Sequence, residues 1–183
     1  MQEKNELNTK RNAVINVCLK QFVDKGLYGT TSRDLSKALN LQSAGMYSYF
    51  ENKDGAIVAC AEQAAIKLEQ QLFNVAFECL KTPGRDLAPV KALAKELSPM
   101  MRFFTQVCST DKYEEQMRPI LNKLSHRYES YVDGVAEITS LPIEKAQLLV
   151  FIGVTAIANY MVYQEDAYID PLLSMIEKEL QGQ

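Results

Sequence analysis

The chain has 183 residues, of which 47% are hydrophobic and 23% are charged, so it is long and apolar enough for one or two compact domains. Eight glycines and six prolines are too few for an all-β protein, which needs a turn roughly every eight to twelve residues. Because turn-forming residues are so few, an all-α protein is expected. The net charge of −3 does not by itself indicate a nucleic-acid partner.

The charge is unevenly distributed along the chain. Residues 1–56 carry eight Lys and Arg against six Asp and Glu, whereas residues 57–183 carry twelve against seventeen. A mildly basic N-terminal part is thus followed by an acidic body.

Membrane, metal and disulfide signals are weak in this sequence. The longest nearly apolar stretch, Leu148 to Ala158, is shorter than the roughly 18 residues of a membrane-spanning helix, and the polar N-terminus lacks the core of a secretory signal. We expect a cytoplasmic protein with no membrane partner. With one histidine, His126, and no Cys-x-x-Cys pair, no metal site, cofactor or disulfide framework is expected. The four cysteines are Cys18, Cys60, Cys79 and Cys108.

The N-terminal part predicts three helices. Apolar residues recur at helical spacing from Thr9 to Lys25, and Gly26 follows as a C-terminal cap. Thr31 and Asp34 form a capping-box pattern that opens a second, short helix. Asn40, which tolerates the left-handed conformation, lies at the turn before a third helix at residues 42–50.

The rest of the chain also has helical spacing. Asn52 is expected to cap a long helix that ends at Thr82, Pro83 and Gly84. Further helices are predicted at 86–97, 100–108, 111–139, 143–164 and 170–180, with a break at Ser98 and Pro99 and a kink or restart at Pro119. The prediction is about nine helices and no strand, in two domains at residues 1–56 and 57–183.

The two short helices joined by a tight turn describe a helix-turn-helix at residues 31–50. The third helix and its flanks carry exposed hydroxyl, amide and phenol groups. Such a helix suits the major groove of double-stranded DNA, where side chains meet base edges and hydroxyls, amides and helix N-termini hold phosphates.

The run from Leu41 to Asp54 resembles the recognition-helix signature of TetR-type transcriptional regulators. Tyr47, the aromatic pair Tyr49 and Phe50, and Lys53 fall in the places of that signature. The upstream pattern is similar as well, at Phe22, Gly26, Thr30, Thr31, Leu35 and Leu39. The family usually has Gly where Asn40 stands, Ser or Thr where Gln42 stands and Ala where Ser36 stands.

The resemblance implies two groups of DNA-binding residues. Phosphate contacts are implied for Thr31, Arg33, Tyr47, Tyr49 and Lys53. Groove contacts are implied for Gln42, Ser43, Gly45 and Ser48. For one of the two tyrosines, packing between helices is the expected role. Gln42 is able to read adenine in bidentate fashion.

The segment from Leu148 to Val162 is apolar nearly all round, so it must be buried on more than one side. The resemblance implies a homodimer through the helices at 143–164 and 171–180. Large adaptable side chains in the middle of the chain are expected to be mostly core, and some are candidates for an effector pocket: Met100, Phe103, Phe104, Met117, Tyr128, Tyr131 and Phe151.

These observations predict a non-enzymatic, sequence-specific DNA-binding regulator, a repressor released from a palindromic operator by a small hydrophobic or aromatic effector. One alternative is a regulator that senses oxidation through Cys60, Cys79 or Cys108. The other is a helical-bundle enzyme, which the sequence supports poorly because no Glu-x-x-His pair, phosphate loop or nucleophile motif is present.

Overall fold

The computed structural model describes residues 2–42, 45, 47–82 and 84–181, with side chains described from Thr9 to Leu180 within those ranges. Ser43, Ala44 and Met46, which belong to the predicted third helix, lie outside the described residues. In the described part of the chain every regular element is helical, so the predicted all-α fold class is confirmed.

Seven α-helices follow one another in the described ranges. They are α1 Gln2–Lys25, α2 Ser32–Ala38, α3 Lys53–Lys81, α4 Ala88–Cys108, α5 Glu114–Thr139, α6 Ile143–Tyr163 and α7 Asp170–Gln181. Short 3₁₀ turns at Asp111–Tyr113 and Asp166–Tyr168 precede α5 and α7.

The predicted break at Ser98 and Pro99 is wrong, because α4 runs through both residues. Proline removes one helical hydrogen bond and disfavours the helical conformation of the residue before it. Here Ser98 is 2% exposed, its hydroxyl donates to the carbonyl of Ala94 at 2.8 Å, and it accepts from Gln164 Nε2 at 2.5 Å. Burial and these bonds hold the helix together, so two predicted helices are one. Pro119 likewise lies inside the continuous helix α5.

Several helix ends agree with the sequence patterns. Gly26 adopts a φ of 79° and its N–H donates to the carbonyl of Phe22 at 2.9 Å, as a C-terminal cap does. Asn40 is left-handed with a φ of 53°. Asn52 caps α3 through its Oδ1, which accepts from the N–H of Gly55 at 2.9 Å. Helix α1, however, begins at Gln2 rather than at the predicted Thr9.

The chain divides into two compact units. The first comprises residues 1–66 and 102–120, and the second comprises residues 67–101 and 121–183. Helices α3, α4 and α5 each have one end in each unit. The predicted boundary between a DNA-binding domain at residues 1–56 and an effector-binding and dimerisation domain at residues 57–183 stays a prediction.

Aromatic and aliphatic side chains form the core of the first unit. The rings of Phe22 on α1 and Phe103 on α4 stack with centroids 5.2 Å apart, and both are nearly inaccessible. Leu35 of α2 and Met117 of α5 are buried in the same unit. Burial of such side chains, at about 1.5–3 kcal/mol each, stabilises α2 although it has only seven residues.

Ion pairs join separate helices of the second unit. Lys91 of α4 pairs with Asp166 at 2.9 Å and with Asp170 at 2.5 Å, which joins α4 to the turn before α7 and to the start of α7. Lys145 of α6 pairs with Glu179 of α7 at 2.6 Å. These ion pairs link α7 to α4 and to α6 within the unit.

Candidate nucleic-acid interface

The turn between α1 and α2 is held by a buried hydroxyl. Thr30 is fully buried, and its Oγ1 lies within hydrogen-bonding distance of the carbonyls of Gln21 and Gly26, at 3.1 Å and 2.9 Å. A Cβ at Gly29 would lie 2.2 Å from the backbone oxygen of Lys25, so only glycine fits there. The conformation of this turn is therefore fixed, and it determines the direction in which α2 leaves α1.

Helix α2 begins with the capping box that the sequence predicts. Thr31 Oγ1 accepts from the N–H of Asp34 at 3.2 Å, and Asp34 Oδ2 accepts from the N–H of Thr31 at 2.8 Å. The hydroxyl of Thr31 also donates to Asp34 Oδ2 at 2.5 Å. Since this proton is already engaged within the cap, a DNA phosphate at Thr31 would have to compete with Asp34 for it.

The end of α1 is joined to the start of α2 by an ion pair. Lys25 Nζ lies 2.5 Å from Asp34 Oδ1. The hydrogen bond from Lys25, together with those from Thr31, holds the pKa of Asp34 well below its ordinary value.

Asn40 makes the sharp turn that follows α2. The N–H of Leu41 donates to the carbonyl of Ser36 at 2.9 Å, and the N–H of Asn40 donates to that of Lys37 at 3.1 Å. These bonds are typical of a helix that ends in a left-handed residue. Asparagine thus adopts the left-handed conformation where the family that the sequence resembles usually has glycine.

The segment from Gln42 to Phe50 is described in part. Gly45 is helical, and its N–H donates to the carbonyl of Gln42 at 2.8 Å. Ser48 Oγ donates to the carbonyl of Gly45 at 2.7 Å, and residues 47–49 form a turn. A Cβ at Gly45 would lie 3.2 Å from the Cβ of Leu41, a tight contact that favours glycine at this position.

The predicted DNA-binding residues that the structure describes all belong to the first unit. Those with exposed side chains are Thr31, Arg33, Gln42, Tyr47 and Ser48, and those of intermediate exposure are Gly45, Tyr49 and Lys53. Ser43 lies outside the described residues. The ring of Tyr47 is 52% exposed while Tyr49 is half-buried, which agrees with a packing role for one of the two tyrosines.

The start of α3 carries a contact that sequence reasoning missed. Asp54, the neighbour of Lys53, accepts from Lys112 Nζ at 2.7 Å and from the Tyr113 hydroxyl at 2.8 Å. The hydrogen bond from Lys112, and to a smaller extent that from Tyr113, lowers the pKa of Asp54. Burial and the hydrogen bond to Asp54 raise the pKa of Tyr113 to about 12. Because 58 and 59 residues separate the partners, no local pattern could have indicated this contact.

The effector-pocket candidates are divided between the two units. Phe103, Phe104 and Met117 belong to the first unit, where Phe103 and Met117 are core residues. Met100, Tyr128, Tyr131 and Phe151 belong to the second. They stay predictions.

An aromatic cluster on α3 and α5 in the second unit was also missed. Tyr131 stacks on Phe73 with centroids 3.6 Å apart and an interplanar angle of 3°, and Phe77 lies against both rings. Beside them Arg127 pairs with Glu69 at 2.7 Å. The spacing of Phe73 and Phe77 on one helix face was the available signal.

Helix α6 presents an apolar face to solvent. Its exposed large side chains are Ile143 (44%), Leu148 (57%), Phe151 (62%), Val154 (40%), Val162 (40%) and Tyr163 (59%). By length and composition alone, α6 is the one helix in the described ranges that could cross a membrane, and the core helix of a soluble protein passes the same test. The expectation from the sequence that no helix spans a membrane stays a prediction.

No group of three or more His, Cys, Asp or Glu that could hold a metal ion occurs in the part of the chain that the structure describes. Among the cysteines, Cys18 and Cys60 are fully buried and Cys108 has intermediate exposure. The hydrogen bond to Cys18 and burial raise the pKa of Cys60, and burial raises the pKa of Cys79 and of Cys108.

Residues 14–60 match the family model described as bacterial regulatory proteins, tetR family. No protein of curated function matches the chain.

Solved structures share the fold along nearly the whole chain. A protein described as a TetR-family transcriptional regulator from Mesorhizobium loti MAFF303099 is 10% identical with a TM-score of 0.61, over 96% of each chain. The multidrug binding protein EbrR, complexed with imidazole, is 16% identical with a TM-score of 0.54, over 91% of this chain and 94% of that one. A transcriptional regulator (TerR/AcrR family) from Aquifex aeolicus VF5 is 19% identical with a TM-score of 0.55, over 94% and 95%.

Proposed function

We propose that this chain is a dimeric, cytoplasmic repressor of the TetR type, which a small effector releases from a palindromic operator. The observation that carries the proposal is the geometry of the described residues between Gly26 and Gly55. A capped α2 is followed by the left-handed Asn40, by exposed side chains at Gln42, Tyr47 and Ser48, and by the capped start of α3. This order suits a helix-turn-helix that inserts its second helix into the major groove.

DNA contacts would come from both groups of side chains. Exposed Gln42 is the candidate for base readout, and Arg33 and Tyr47 are exposed candidates for phosphates on either side of the groove. Lys53 lies in the first turn of α3, where the helix dipole disfavours a cation unless an anion is nearby. A DNA phosphate would supply that anion.

A second copy of the chain is proposed to pack against α6 and α7, and to cover the apolar face of α6. Isolated exposed apolar residues are ordinary, but six large ones on a single helix form a surface that is typical of an interface. Two-fold symmetry would place the two copies of residues 41–54, the recognition segments, roughly 34 to 36 Å apart. This is the distance between successive major grooves on one side of the duplex, roughly 34 to 36 Å. A palindromic operator follows from that symmetry.

The second unit supplies the chemistry for a hydrophobic or aromatic effector. Tyr128 and Tyr131 combine apolar rings with hydroxyl groups, and the rings of Phe73 and Phe77 lie beside Tyr131. EbrR, which shares the fold, is described as a multidrug binding protein and is complexed with the aromatic molecule imidazole. An effector that prefers a conformation with wrongly spaced recognition segments must weaken DNA binding, and DNA must weaken effector binding equally.

Burial argues against the oxidation-sensing alternative. A reactive cysteine needs an accessible thiolate, whereas the pKa is raised for Cys60, Cys79 and Cys108. Replacing these three residues by serine should therefore leave the response of DNA binding to peroxide unchanged. A response that disappears would favour oxidation sensing over a ligand.

Selection of bound duplexes from a random DNA pool, followed by a salt series on the enriched sequences, tests the proposal. We expect a palindrome with half-sites about one helical turn apart and an affinity that falls steeply with salt. Failure of a folded, dimeric protein to enrich any sequence, with and without a panel of aromatic compounds, would refute DNA-binding regulation.

A further inference from the structure

The carboxylate of Asp54 has two hydrogen-bond donors and a cationic neighbour in the sequence. Lys53 precedes it in the chain, whereas Lys112 and Tyr113 come from the 3₁₀ turn before α5. Lys112 Nζ lies 2.7 Å from Oδ2, and the Tyr113 hydroxyl lies 2.8 Å from Oδ1. All four residues belong to the first unit, so this cluster is part of the DNA-binding half of the molecule.

The exposure of the cluster is graded from inside to outside. Tyr113 is 6% exposed, the side chain of Asp54 is 41% exposed and that of Lys112 is 62% exposed. The Nζ of Lys112 also lies 5.7 Å from the centroid of the Tyr113 ring. The buried tyrosine thus fixes one carboxylate oxygen, and the exposed lysine neutralises the other.

A free carboxylate beside Lys53 would oppose DNA binding in two ways. It would attract the Lys53 ammonium to itself, and it would repel the phosphate that Lys53 is proposed to hold. In the described part of the chain, Lys53 takes part in no ion pair, while Asp54 is bound by Lys112. Lys112 thus compensates a carboxylate charge that would otherwise act through space on Lys53 and on a phosphate bound there.

We propose that Lys112 and Tyr113 are positioning residues for DNA binding, which engage Asp54 and so leave Lys53 to a DNA phosphate. The inference rests on the proposed function, because it assigns a role in DNA affinity to a cluster with no base or phosphate contact of its own. Lys112 acts through charge and Tyr113 acts through a hydrogen bond. A merely structural cluster would instead change folding stability and leave the electrostatics of DNA binding alone.

The experiment compares four variants on the operator obtained by selection. Lys112→Gln removes the compensating charge, and Lys112→Gln combined with Asp54→Asn removes the carboxylate charge as well. Tyr113→Phe removes one hydrogen bond without a change of charge. Lys95→Gln, at an exposed position of the second unit, is the control for loss of one positive charge.

Lys112→Gln is expected to weaken operator binding at low salt by about two- to fivefold per protomer, in the range of exposed ion pairs. For a dimer with two such sites the factors multiply to roughly four- to twenty-five-fold. The double variant should return to the wild-type affinity, because no carboxylate charge is left to compete for Lys53. Tyr113→Phe should weaken binding less than Lys112→Gln, and Lys95→Gln should bind like the wild type. Thermal unfolding of each variant establishes that all are folded.

Two results would overturn the inference while the proposed function stands. One is a double variant that binds as weakly as Lys112→Gln, since Lys112 would then act on DNA without Asp54. The other is Lys112→Gln binding that equals Lys95→Gln. A wild-type protein that binds no duplex overturns the proposed function itself, and this inference with it.

Discussion

The ammonium of Lys25, at the end of α1, lies 2.5 Å from the carboxylate of Asp34, in the first turn of α2. The same carboxylate accepts the N–H of Thr31 in the capping box, so one side chain both caps α2 and joins it to α1. The charge of this carboxylate therefore contributes to holding α2 against α1.

Asp34→Asn should therefore destabilise the protein in a pH-dependent way. The pKa of Asp34 is lower in the folded protein than its ordinary value of 3.8, so its stabilising contribution is present above that pH and is lost as the pH falls below it. Urea unfolding near pH 7 should show a lower midpoint for the variant, and the difference from wild type should shrink below about pH 4. Glu78→Gln, which breaks the fully exposed pair with Lys81, is the control and should show little difference at any pH.

Ser36→Ala should stabilise the protein. Ser36 is 4% exposed, and its Oγ is the buried side-chain oxygen for which the described residues offer no hydrogen-bond partner. A buried unsatisfied hydroxyl costs about 1 kcal/mol or more, so its removal should raise the free energy of unfolding by roughly that amount. Ser98→Ala is the matched comparison: Ser98 is equally buried but bonded to Ala94 and Gln164, so its removal should lower stability. Equal effects of the two substitutions would contradict the reasoning.

Tyr47→Phe combined with Lys53→Ala should weaken binding to all DNA sequences. If Lys53 contacts a phosphate in each half-site, the slope of log affinity against log salt should decrease in magnitude by about two for a dimer. Lys81→Ala, an exposed lysine of the second unit, controls for the change in net charge. An unchanged slope would remove Lys53 from the phosphate contacts, and an unchanged affinity would remove Tyr47 as well.

Replacement of Phe151 by glutamate should separate the proposed dimer. This ring is 62% exposed on α6, so a monomer would tolerate the charge, whereas a covered interface would have to bury it unpaired. Sedimentation equilibrium should show a monomer, circular dichroism should show an unchanged helical content, and operator binding should be much weaker. Leu121→Glu, at an apolar position that is 42% exposed on α5, should leave the assembly intact. A dimeric Phe151→Glu variant would place the interface elsewhere.

Local features of the chain were predictable because their causes are local. Spacing identified the helices, and Gly26, Asn40 and the Thr31–Asp34 capping box marked ends that depend only on backbone conformation and nearby hydrogen bonds. The resemblance of residues 41–54 to a recognition helix was visible for the same reason, because the residues that carry it are consecutive in the chain.

The features that sequence reasoning missed depend on residues that are distant in the chain. Pro99 is a helix breaker by local rules, yet α4 continues because Ser98 is buried and bonded to Gln164, 66 residues away. The contacts of Asp54 with Lys112 and Tyr113, and the stacking of Tyr131 on Phe73, likewise join separate helices. A pattern within one helix indicates which face is apolar but not which partner covers it.

Local sequence patterns thus predicted the helical class, most helix ends and the similarity of residues 14–60 to TetR-type regulators, because propensity, capping and a short motif act over a few residues. Tertiary contacts decide that Lys112 forms the ion pair with Asp54, that Phe103 is core, and that Phe151 is exposed. Such choices depend on which surfaces meet when the helices pack, and packing is a property of the whole chain.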